Sequence, residues 1–175
     1  MMSRPHAVVA ATPDQPYQLS EHLKQRIDFW TAKFPPDRRQ SAVIAALREA
    51  QHDNGGHITR PIQDAVADYL EIPRIAVYEV ATFYSMLELK PVGRHSISVC
   101  TNVSCMLCGG VELREYIQSK LGIGLNESTP DGKFYLKEDE ECLGACAAAP
   151  KMQIDHVYYE NLTPEKVDEI LDNLE

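Results

Sequence analysis

No cysteine occurs in the first 99 residues or the last 29, and all five cysteines of this 175-residue chain fall between Cys100 and Cys146. Thiol chemistry is therefore confined to one short stretch, and the N-terminal half is excluded from it. Positive charge is also scarce: 17 Lys and Arg face 26 Asp and Glu, for a formal net charge of −9 and a pI near 5.1. Proteins that bind nucleic acid neutralise phosphates with Lys and Arg, so nucleic acid is not an expected partner. Long hydrophobic runs are missing as well. The longest candidates, such as Ser41 to Leu47, fall far short of the ~20 residues that span a bilayer, so no membrane insertion is expected. The segment from Met1 to Gln15 has Arg4 and a brief apolar patch at Ala7 to Ala11, but it lacks a signal-peptide core and meets Asp14 early. The expectation is a soluble protein of the cytoplasm.

What is present divides the chain in two. Residues 1–18 are expected to form a flexible N-terminus. From there Leu19, Leu23, Ile27, Trp30 and Phe34 recur every three or four residues behind Ser20, a good N-cap, predicting a helix over residues 20–34 that stops at Pro35-Pro36. A second helix is expected from Ser41 to Gln51, with Val43, Ile44 and Leu47 on one stripe and Asn54-Gly55-Gly56 as its stop. Pro61 opens a third, in which Ile62, Ala65, Val66, Tyr69 and Leu70 share a face. Arg74 to Leu87 makes a fourth. Residues 19–90 thus read as a helical bundle.

The period changes at Pro91-Val92-Gly93. Ile97 and Val99 alternate with polar neighbours in a strand that delivers Cys100 at its end. Val111 to Leu121 reads as a helix. Pro130-Asp131-Gly132 is turn chemistry leading to a strand through Phe134 and Leu136. Met152 and Ile154 form another strand, turning at Asp155-His156 and returning through Val157 to Tyr159. Thr163 and Pro164 then cap a last helix bearing Val167, Ile170, Leu171 and Leu174. The fold class is α+β: a helical bundle, then a small α/β domain over residues 91–175. No repeat or low-complexity tract occurs, and the run Glu138-Asp139-Glu140-Glu141 reads as a solvated acidic loop.

Five cysteines within 47 positions in a reducing compartment point to metal or redox chemistry before disulfides. Cys100-Thr-Asn-Val-Ser-Cys105 and Cys142-Leu-Gly-Ala-Cys146 offer two pairs of thiols in small-residue loops, enough for a 2Fe-2S cluster with two thiolates on each iron. Glycine-containing loops of this kind let backbone N–H groups approach sulfur. Three other readings stand beside it. Cys100, Cys105 and Cys108 reproduce the CxxxxCxxC spacing of plant-type ferredoxins, with Cys142 or Cys146 as fourth ligand. Four thiolates also make a structural zinc site, although zinc ribbons favour CxxC pairs and only Cys105-Met-Leu-Cys108 supplies one. That CxxC suits a thioredoxin-type dithiol too. The two-pair assignment leaves out only Cys108, whereas the plant-type assignment strands a member of the second pair. His52 and His57, flanking a glycine turn, read as surface loop histidines, and His156 as a hairpin-tip residue. Gly122-Ile-Gly124 lacks the third glycine of a dinucleotide fingerprint and follows a helix, and no GxxxxGK[ST] occurs, so neither NADH nor flavin is expected on this chain itself.

The cysteine motifs, Ala149-Pro150 behind the second of them, Tyr159-Glu-Asn-Leu-Thr-Pro164 and Val77-Tyr-Glu-Val-Ala-Thr-Phe-Tyr-Ser-Met86 resemble the 24 kDa (E-subunit) family of respiratory complex I over roughly Ser20 to Glu175. The resemblance implies a helical N-terminal region followed by a thioredoxin-like ferredoxin domain, with one 2Fe-2S cluster on Cys100, Cys105, Cys142 and Cys146. It implies an electron-transfer subunit of a proton-translocating NADH:quinone oxidoreductase, without catalytic residues of its own. The implied partners are a flavoprotein subunit that binds NADH and FMN, and a larger iron-sulfur subunit of the peripheral arm. The cluster would exchange electrons with the FMN, off the main route to quinone. The implied location is the cytoplasmic side of the inner membrane, reached through the complex. Cys108 is not among that family's ligands. Related small subunits serve NAD-linked hydrogenases and formate dehydrogenases, and the reading from another class is a zinc-stabilised interaction module.

Overall fold

The computed structural model describes residues 16–138 and 142–174. The chain divides into two compact units, one ending at Pro91 and the other beginning at Val92.

Among the described residues, the first unit contains four α-helices: α1 (Glu21–Thr31), α2 (Val43–Asp53), α3 (Arg60–Leu70) and α4 (Arg74–Phe83), with a 3-10 segment over Pro36–Ala42 before α2. Leu23 and Ile27 of α1, Ala46 and Leu47 of α2, Ile62, Val66 and Leu70 of α3 and Val77 of α4 are almost fully withdrawn from water and form one core. Ser20 caps α1 as expected, its Oγ accepting from the Leu23 N–H at 3.1 Å. Two helices are shorter than their patterns predict. After Thr31 the N–H groups of Lys33 and Phe34 turn to Trp30 and Thr31, three residues back. Phe34 precedes a proline, whose ring disfavours helical geometry at that position, so the last turn tightens and stops. α4 ends at Phe83 rather than Leu87, and Tyr84 is extended. The Gln51 side chain competes for the backbone beyond that end: its amide donates to the Met86 carbonyl at 3.0 Å and accepts from the Glu88 N–H at 2.7 Å. The Glu88 carbonyl in turn accepts from Ile58 N–H. Of the N-terminal stretch expected to be flexible, residues 1–15 lie outside the described residues, and Tyr17 packs half-buried against the helical core.

Among the described residues, the second unit is a five-stranded mixed sheet with three α-helices. Its strands are β1 (His95–Val99), β2 (Glu127–Ser128), β3 (Phe134–Leu136), β4 (Met152–Ile154) and β5 (Val157–Tyr159), in the order β2-β3-β1-β4-β5. β1 is parallel to β3 and antiparallel to β4, and the other two pairings are antiparallel. The parallel pair is bridged by a crossover through α6 (Gly110–Leu121), which follows the short α5 (Val103–Leu107). α7 (Pro164–Asp172) closes the chain, capped by Thr163. Leu113 and Ile117 of α6 and Val167 and Leu171 of α7 pack into one core with Ile97, Leu136, Met152 and Ile154 of the sheet. Asp155 and His156 both have positive φ, +50° and +74°, so the β4–β5 hairpin turns in the left-handed way that matches strand twist. The short strand β2 and the helix α5 are additions to what periodicity predicts, each too brief to register a pattern.

Candidate metal centre

Cys100 stands at the end of the central strand β1, where its N–H donates to the Lys151 carbonyl at 3.1 Å. Two residues on, Asn102 begins α5, and Cys105 lies inside that helix; both thiols are about 1% exposed. The chain then has to turn tightly into α6. Gly109 adopts φ +89°, and a Cβ on Gly110 would sit 2.6 Å from the Cys100 carbonyl oxygen and 2.8 Å from that of Cys105. Only glycine lets α6 start against the back of the first cysteine loop. Cys142 and Cys146 come from the loop between β3 and β4, ahead of a 3-10 turn over Cys146–Ala148, and both are exposed.

Pairwise contacts link thiols of the two loops, although among the described residues no group of three or more ligating side chains is already drawn together as a metal site. Cys142 and Cys146 have their Sγ atoms 3.9 Å apart. Cys100 Sγ is within hydrogen-bonding reach of both Cys105 and Cys142, and Cys105 also feels the charge of Cys146. Backbone donors surround them. The Leu143 and Asn102 N–H groups point at Cys100, the Lys151 N–H at Cys105, and the Gly144 N–H at Cys142 at 3.4 Å. Burial raises the Cys100 thiol, but those donors and the neighbouring thiols outweigh it and bring Cys100 below its ordinary value. Cys105 is pushed up to about 11 by burial and by its bond to Cys100 and the charge there, against the Lys151 N–H. The pair therefore resists holding two negative charges at once unless a cation sits among the sulfurs. Such a donor set fits a thiolate-bound metal. A tetrahedral metal with bonds of ~2.3 Å spaces two sulfur ligands by about 3.8 Å, close to the separation in the Cys142/Cys146 pair.

Cys108 caps the C-terminal end of α5 at an exposed position and takes no part in these contacts among the described residues. Beside it α5 presents Val103, Met106 and Leu107 to solvent. The acidic run beyond Glu138 lies outside the described residues up to Cys142. His57 is not a surface loop residue: it is 7% exposed and its Nε2 meets the Asn54 side-chain amide at 3.2 Å. Burial lowers its pKa. His156 is at the hairpin tip, as expected.

Two features of the site had no sequence signal in the cysteine spacing. Lys151 is buried to 1% exposure, with its Nζ on Glu160 at 3.1 Å, and its backbone serves both Cys100 and Cys105. Tyr158 on β5 donates its hydroxyl to the Leu143 carbonyl at 3.1 Å. Asn102, a good N-cap residue, is the one local signal of α5, which is otherwise too short to show a period.

Residues 27–175 match the model of the thioredoxin-like [2Fe-2S] ferredoxin family. The E subunit of NADH-quinone oxidoreductase from Rickettsia bellii (strain RML369-C) is 49% identical over 142 residues, covering 81% of this chain and 84% of that protein. A corresponding E subunit of the same enzyme in Rhizobium meliloti (strain 1021) is 42% identical, covering 86% and 88%. Among solved structures, an NAD+-reducing [NiFe]-hydrogenase in the H2-reduced state superposes with a TM-score of 0.64 at 18% identity. The likeness covers 74% of this chain and 21% of the hydrogenase chain, and it bears on the fold alone.

Proposed function

Since the chain belongs to the thioredoxin-like [2Fe-2S] ferredoxin family and, within it, to the E subunits of NADH-quinone oxidoreductase, we propose that it carries electrons through one 2Fe-2S cluster held by Cys100, Cys105, Cys142 and Cys146. The observation that supports this ligand set is the chain of pairwise contacts Cys105–Cys100–Cys142–Cys146 that joins the two loops, with backbone N–H groups directed at Cys100, Cys105 and Cys142. When bound, such a cluster accepts and returns one electron at a time. The chain's own part is to hold the sulfurs, to direct N–H groups at them and to bury Cys100 and Cys105 while leaving Cys142 and Cys146 toward the surface. Cys108 stays outside the ligand set.

Within that oxidoreductase the chain works beside other subunits. FMN and NADH belong on a flavoprotein partner, with a larger iron-sulfur subunit in the same peripheral arm. No helix among the described residues is long and apolar enough to cross a membrane. As a peripheral subunit of such a complex, the chain is assigned in this reading to the cytoplasmic face of the inner membrane, reached through its partner subunits. Electrons pass between the cluster and the partner's FMN. The isolated chain should bleach with dithionite and not with NADH, and should co-purify with a chain that contains FMN and oxidises NADH. Bleaching of the isolated chain by NADH alone would overturn the division of labour.

A further inference from the structure

One hydrogen bond reaches the cysteine loops from a strand that carries no cysteine. Tyr158 lies on β5, the edge strand of the sheet, and its hydroxyl donates to the Leu143 carbonyl at 3.1 Å. The Leu143 carbonyl and the Gly144 N–H belong to one peptide unit. That N–H donates to Cys142 Sγ at 3.4 Å. Tyr158 therefore sits at one end of a relay, O–H to C=O and N–H to sulfur, whose other end is a proposed cluster ligand. Gly144 has φ +72°, a conformation that other residues rarely adopt, so the peptide's orientation rests on a residue with little stiffness of its own. The hydroxyl supplies an external hold.

Resting on the cluster assignment above, the geometry points to Tyr158 as a positioning residue that sets the reduction potential of the centre through the Leu143–Gly144 peptide. Donation into the carbonyl polarises the peptide and makes its N–H a stronger donor, as in any chain of hydrogen bonds. A reduced iron-sulfur centre carries one more negative charge than the oxidised one, and part of that charge resides on the sulfurs. Donors to sulfur hold the reduced form preferentially and raise the potential. Loss of the hydroxyl weakens the N–H contact at Cys142 and frees the peptide to turn away, and both effects lower the potential.

The test uses the full chain with its cluster, in wild-type form and as Tyr158→Phe and Tyr159→Phe. Tyr159, the neighbouring aromatic, packs against the core of this unit instead. The midpoint potential is read by dithionite titration with mediators, following visible absorption and the low-temperature paramagnetic signal. Tyr158→Phe should retain wild-type iron and sulfide content and shift to a more negative midpoint, while Tyr159→Phe stays at the wild-type value. An unchanged or more positive midpoint in Tyr158→Phe overturns the proposal. So does an equal shift in both variants, or loss of the cluster from Tyr158→Phe alone, which would make the hydroxyl part of the scaffold. A wild-type chain without iron or sulfide would instead defeat the cluster assignment itself.

Discussion

At the scale of single residues, spacing proposed a ligand set without excluding its plant-type rival, and the groups that face its thiols left no signal in the spacing. Two short motifs, four and three residues between their thiols, favour Cys100, Cys105, Cys142 and Cys146, and the family resemblance implies the same four. They could not say which backbone N–H groups face sulfur, because that depends on peptide orientations fixed by Gly144 and by the approach of Lys151 from another loop. Substitution separates the five cysteines. Cys108→Ser should leave a coloured protein, whereas Ser at Cys100, Cys105, Cys142 or Cys146 should lose or severely weaken the colour. Colourless Cys108→Ser beside a normal Cys142→Ser or Cys146→Ser would install the plant-type ligand set. His57 departs from its sequence expectation for a similar reason: a histidine beside Asn54-Gly55-Gly56 reads as loop surface, but the turn folds it back against Asn54. Burial holds its folded pKa below the ordinary value of 6.5. The unfolded chain takes up the imidazole proton near pH 6.5 and the folded chain only lower, so this stability is complete above that range and declines as pH falls through it. Thermal unfolding at pH 7.5 and 5.5 should lose more on acidification for wild type than for His57→Gln. Equal losses would mean that His57 titrates as freely in the fold as out of it.

Elements with a strong period and a cap were readable, and those governed by competition with distant partners were not. α3 and α7 carry apolar stripes on Thr or Pro starts and formed where the pattern placed them, while α1 began at its Ser20 cap and stopped at Thr31, short of the expected end. The end of α4 was not visible locally, since the group that unwinds residues beyond Phe83 is the Gln51 side chain, 35 residues away from Met86 in sequence. α5 has five residues, less than two turns, and its apolar side chains face solvent rather than a core, so no periodic signal exists to read. The caps can be measured. Ser20→Ala removes the acceptor of the Leu23 N–H and the bond from Ser20 Oγ to Asp53, and should cost the helical unit about 1 kcal/mol in denaturant unfolding. No change in midpoint would mean that water serves the first turn of α1 as well as the serine does.

For the molecule as a whole, the chain divides after Pro91 into two units with separate cores. The helical unit holds no cysteine, and electron transfer alone does not require it. It exposes Phe29, Ile75, Phe83 and Met86. Exposed apolar residues mark contact sites where they join into a continuous patch. Its expected role is to hold the flavoprotein, while the other unit presents the centre. Removing residues 1–90 should leave a coloured fragment that captures the flavoprotein much more weakly than the full chain. Equal capture would move the dock to the cysteine-bearing unit, and loss of colour would make the two units one cooperative structure. The most direct measurement is the metal and sulfide content of the purified full-length protein, together with its visible spectrum. A 2Fe-2S cluster on four thiolates predicts about two irons and two acid-labile sulfides per chain, with absorption bleached by dithionite. One zinc per chain, no sulfide and no colour would contradict the account and leave the four cysteines a structural zinc site.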